Sequence, residues 1–120
     1  MIAIGGVLGS LGRYAIALAT ASWGESGWPW ETLIVNVVGS LLIGIVATLL
    51  SARVAPDWVR LFVITGILGG FTTFSAFALQ TGVMLDGGQA FMAVSYVLAT
   101  LVLGLLAVRL GIVFTRRWTA

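Results

Sequence analysis

The 120-residue sequence contains no lysine, no histidine and no cysteine, and only 8% of it is charged. These absences exclude disulfides, thiol chemistry, a cysteine or histidine metal site and histidine-based catalysis. A soluble domain carries roughly a quarter charged residues, so this chain is not composed like one. Six basic residues against four acidic ones leave a net charge of +2, with no basic run of the kind that binds nucleic acid. What is present is apolar: 60% of the residues are hydrophobic.

The few charges act as punctuation. Uncharged stretches run over 32–52, 61–85 and 87–108, and each reaches the roughly 20 residues that span hydrocarbon as a helix. The segment from Met1 to about Ser22 does so as well if Arg13 is accepted within it. This predicts an all-α membrane protein, one transmembrane domain over 1–120, with transmembrane helices near 2–22, 32–52, 61–85 and 89–110. A cleaved signal peptide is the rival for the first segment, since Ala19-Thr20-Ala21 resembles a cleavage site. No positive n-region precedes it, however, and Arg13 interrupts the apolar part. Trp23, Trp28, Trp30, Trp58 and Trp118 all fall at predicted span ends, where interfacial aromatics belong. Arg53, Arg60, Arg109, Arg116 and Arg117 share one side, whereas Glu25, Glu31 and Asp86 share the other. Taken alone, that asymmetry predicts a single orientation with both termini in the cytoplasm.

Small and polar residues form stripes on these helices. Gly5, Gly9 and Arg13 are four apart. Asn36, Gly39, Ser40 and Gly44 share a face of the second helix, and Tyr96, Thr100, Gly104 and Gly111 a face of the fourth. Close helix packing is the plain explanation for the glycines. Asn36 needs partners for its carboxamide, which a neighbouring helix or a passing anion would equally provide. Arg13 either snorkels to a helix end or lends positive potential to an aqueous vestibule. No acid lies inside any span, so a membrane-embedded proton-coupled carboxylate is missing.

The segment 69–77, GGFTTFSAF, weakens a helix within an otherwise apolar stretch. Unwound backbone at that depth survives only when buried in protein or lining a cavity, where its carbonyls can meet a cation. Phe74 and Phe77 share a face beyond it. Phenyl rings are usually packing, yet their edges carry partial positive charge that suits a small anion.

This segment, together with GGVLGSLGRY at 5–14 and TLIVNVVGSLLIG at 32–44, resembles the small bacterial fluoride channels, the Fluc or CrcB family. The resemblance covers essentially the whole chain. It implies a passive fluoride channel of the bacterial inner membrane that relieves fluoride toxicity, built as an antiparallel, dual-topology homodimer with a break in the third helix. It also implies that fluoride passes Phe74, Phe77, Asn36, Tyr96, Ser75 and Thr100, with Arg13 at the vestibule. A structural Na⁺ at the dimer interface would be held by the backbone carbonyls of Gly69 and Thr72.

Three residues depart from the family pattern: Ala76 and Gly104 lack hydroxyls that relatives often carry, and Glu31 stands where glycine is common. The arginine asymmetry sits awkwardly with dual insertion, so a heterodimeric pair with a second chain is the first alternative. A small multidrug-type exporter is the second, disfavoured by the missing intramembrane carboxylate. A purely structural membrane subunit would explain the glycines but neither Asn36 nor the segment 69–77.

Overall fold

A computed structural model describes residues 1–119, apart from the side chains of Glu25 and Ser26. Among the described residues, four helical spans are long and apolar enough to cross a membrane: Ile2–Ala19, Trp30–Ala52, Asp57–Asp86 and Ala90–Thr119. The first and third spans pack together, as do the second and fourth. The molecule measures 50 × 29 × 21 Å.

Local chemistry sets the ends. The first helix stops at Ala19, three residues before its expected end, where Thr20 is the C-cap with φ of −103° and ψ of 5°. Both the Thr20 amide, at 3.0 Å, and its hydroxyl, at 2.9 Å, donate to the Ile16 carbonyl. A 3₁₀ segment, Ala21–Ser26, follows and closes at Gly27, whose φ of 79° lies in the left-handed region. Pro29 precedes the second helix and Pro56 the third, each lacking an N–H that a helix start leaves unused. Asp57 in the first turn complements the helix dipole at this start. The Arg60 guanidinium donates to the Leu50 carbonyl at 3.2 Å, satisfying one of the orphan carbonyls that end the second helix. The fourth helix runs to Thr119, beyond its expected end near 110. Charge ends a hydrophobic run but not a helix, and Arg116, Arg117 and Trp118 simply continue it into the interface.

The third span is the irregular one. After Asp57–Arg60 it winds as a π-helix over Leu61–Leu68, then returns to α geometry for Gly69–Phe71. Thr72 and Thr73 are extended, with ψ of 158° and 119°. A new helix, Phe74–Asp86, begins with the Thr73 hydroxyl accepting from the Ala76 amide at 3.2 Å, an N-cap in the usual sense.

Packing between spans depends on missing side chains. A methyl on Gly9 would overlap the Ile67 carbonyl of the third span. One on Gly44 would sit 2.5 Å from the Val108 carbonyl, and one on Gly111 would sit 2.6 Å from the Leu41 carbonyl. These backbones touch, which is how membrane helices associate without a hydrophobic driving force between them. Among the described residues the buried apolar core is small, centred on Leu33, Met84, Ala93 and Tyr96. Many large apolar side chains, Leu79, Leu105 and Leu110 among them, lie on the outside.

Candidate functional site

The hydroxyls of the second helix mostly serve their own backbone. Ser40 donates to the Asn36 carbonyl at 2.6 Å, Thr48 to Gly44 at 2.7 Å and Ser51 to Ala47 at 2.8 Å. Such i−4 bonds leave a polar stripe that cross-links nothing. Asn36 behaves differently. Its Oδ1 accepts the Thr73 amide at 2.8 Å, and its Nδ2 donates to the Thr73 carbonyl at 2.9 Å. The carboxamide therefore pairs with the extended backbone as a neighbouring strand would, supplying the bonds that the helix no longer provides there.

Beside this pairing lies an open groove of about 380 Å³. Asn36, Ser40, Gly69, Thr72, Phe74, Phe77 and Thr100 are among the residues that border it. The Phe74 and Phe77 rings are 5.7 Å apart and inclined by 51°. Phe74 is 79% exposed, so its ring stands on the outer surface of a single chain. Thr100 Oγ1 is buried and, among the described residues, has no hydrogen-bond partner. A hydroxyl left over at the wall of a groove is one with a proton to offer to something absent from the chain. Gly39 shapes the same wall: a methyl there would overlap the Thr72 side-chain methyl.

Six of the nine residues singled out in the sequence thus meet at one groove: Asn36, Gly69, Thr72, Phe74, Phe77 and Thr100. Three do not. Ser75 is exposed, with its hydroxyl 3.4 Å from that of Thr73. Tyr96 is fully buried, and its hydroxyl donates to Gln80 Oε1 at 2.8 Å. Its ring nonetheless backs the groove, 5.2 Å from that of Phe77. Arg13 borders a separate cavity of about 310 Å³ with Glu31, Thr32, Thr73 and Ala76. Thr73 belongs to both spaces and is the partition between them.

Gln80 escaped the sequence reading. It links the Tyr96 hydroxyl to Thr32, whose Oγ1 accepts from Gln80 Nε2 at 2.9 Å. The signal was available, since an isolated carboxamide in an apolar stretch needs partners just as Asn36 does. Among the described residues no group of three or more acidic side chains gathers as a metal site.

Comparison with known proteins identifies the family. Residues 1–112 match the family described as CrcB-like protein, Camphor Resistance (CrcB). A protein of Opitutus terrae is 50% identical over 114 residues, 92% of this chain and 86% of its own. One of Thermus thermophilus is 45% identical over 112 residues, covering 92% and 89%, and one of Nitrobacter winogradskyi is 41% identical over 116, covering 96% and 92%. Each of these three is named fluoride-specific ion channel FluC. With four membrane-length helices and a family match over nearly its full length, the chain is a multi-pass membrane protein that belongs to the CrcB family.

Proposed function

We propose that the chain is a fluoride channel rather than an enzyme, and that fluoride moves along the groove between Asn36, Phe74, Phe77 and Thr100. The observation that carries this reading is Thr100, whose buried hydroxyl has no partner among the described residues, bordering the same groove as two phenyl rings. Fluoride is small and holds its water tightly, so a pathway must offer donors at close range. Thr100 offers one, the second Nδ2 hydrogen of Asn36 offers another, and ring edges add weaker electrostatic attraction. Nothing bordering the groove is acidic, which disfavours a proton-coupled cation exporter. The membrane potential and the anion gradient then suffice to drive export across the inner membrane.

A groove with polar walls that opens sideways does not tolerate lipid, because polar groups in hydrocarbon need partners. A second copy of the chain is the cover we favour, placed antiparallel so that the exposed Phe74 of each copy lies against the other. The Gly69 and Thr72 carbonyls suit a hard cation such as Na⁺, which takes neutral oxygen ligands. Two per chain make four at a shared interface, and a cation there supplies positive charge beside the anion path without a charged side chain. Arg13, across the Thr73 partition, would draw anions toward the groove, with Glu31 in the same cavity opposing it.

Efflux from liposomes containing only this chain tests the reading. Rapid fluoride release with little chloride release is the expected result. Well-folded protein that releases no fluoride would sink it, and release restored by a second chain would point to a heterodimer.

A further inference from the structure

In an unbroken helix the Thr73 amide would close onto the Gly69 carbonyl and the Ala76 amide onto the Thr72 carbonyl. Neither does. The Thr73 amide donates to Asn36 Oδ1 at 2.8 Å, and the Ala76 amide donates to Thr73 Oγ1 at 3.2 Å. Asn36 also donates back to the Thr73 carbonyl at 2.9 Å, bridging positions 37 residues apart in sequence. Side chains of Asn and Thr compete with the helix for backbone groups in just this fashion. The two carbonyls deprived of amides by this competition are those of Gly69 and Thr72, and both residues border the groove.

We propose that Asn36 and the Thr73 hydroxyl are positioning residues of the cation site. Each holds away an amide that would otherwise occupy one of the two carbonyls, Asn36 for Gly69 and Thr73 for Thr72. Neither has to touch the ion. The proposal rests on the cation reading given above and deepens it, because it explains what keeps the ligands free. It also changes the role expected of Asn36. The carboxamide oxygen and one of the two N–H bonds are committed to Thr73. Loss of the pairing would let the third span rewind, and a rewound helix offers no free carbonyl at this depth.

The experiment uses the purified full chain in detergent, without fluoride, titrated with NaCl against N-methylglucamine chloride at constant ionic strength. The quantity read is the Na⁺ concentration giving half the shift in melting temperature. Asn36→Ala and Thr73→Val are expected to raise it about five- to tenfold, the scale of one lost hydrogen bond. Thr73→Ser keeps the capping hydroxyl and is expected to stay within about twofold of wild type. If Asn36→Ala does not fold, the Val and Ser variants of Thr73 decide alone. Wild-type Na⁺ dependence in both Asn36→Ala and Thr73→Val overturns the proposal. So does an Asn36→Ala protein that loses fluoride flux with its Na⁺ response intact, since that marks Asn36 as an anion ligand only. A wild-type melt indifferent to Na⁺ overturns it at the root, while the fluoride reading stands or falls by liposome flux.

Discussion

At the residue scale the decisive groups are few and differently employed. Phe74 and Phe77 present rings to the groove at a separation of 5.7 Å, and an aliphatic side chain of similar bulk has no electropositive edge to replace theirs. Phe74→Ile or Phe77→Ile is therefore expected to leave no measurable fluoride flux while the oligomer persists on size-exclusion chromatography. Normal conduction by both variants would refute the assignment. Thr100 allows a finer comparison. Thr100→Val keeps the shape and removes the unpartnered hydroxyl, so fluoride efflux should fall about tenfold, as for one lost donor. Thr100→Ser should restore most of it. Equal rates for Val and Ser would show that the hydroxyl is idle. Tyr96 illustrates what sequence alone withholds. Its hydroxyl looks like a pathway donor until Gln80 Oε1, on another helix, accepts its hydrogen bond. The Asn36–Thr73 pairing was equally unreadable, because helical spacing within one segment says nothing about a partner 37 residues away.

At the scale of elements, most of the fold was legible because charge and hydropathy are local. Arg53, Asp57, Arg60 and Asp86 sit where spans end, and Pro29 and Pro56 mark helix starts. What failed was anything decided by a competing local bond or by geometry between helices. The first helix ends at Ala19, where Thr20 leaves helical geometry and Ala21–Ser26 turns as a 3₁₀ segment, although no charge, glycine or proline marks that point. The π-helical winding of Leu61–Leu68 has no proline or other sequence marker, and it lies where the third span presses against the glycine face of the first. Pairing of the second and fourth helices is the more testable contact. Gly44 meets the fourth helix's backbone at a distance that leaves no room for a side chain. Gly44→Leu should therefore separate the two helices at a cost of about 1–3 kcal/mol or more. A lowered melting temperature with unchanged helix content by circular dichroism is the expected result. A wild-type melt would mean that these helices do not pack as described.

At the scale of the whole molecule, the open problem is orientation. Five arginines lie toward one end of the bundle and none of the remaining charges there balances them fully, which favours a single insertion direction. An antiparallel pair needs both directions. We expect a single cysteine at Ser22, in the first loop and outside the groove, to be labelled by an impermeant maleimide from either face of the membrane. Labelling from one face only, in cells making no related chain, would exclude the antiparallel homodimer.

The length of the fourth helix bears on the same question. Its 30 residues extend about 45 Å, some 15 Å more than the hydrocarbon of a bilayer. The end bearing Trp118 is therefore a stiff arm reaching past the hydrocarbon into the headgroups, its direction set by the helix behind it. In an antiparallel pair two such arms leave from opposite faces and their tips lie a full molecular length apart, on the order of 50 Å; in a parallel pair they leave side by side. The chain carries its own ruler, and one spin label per copy at position 118 would read it.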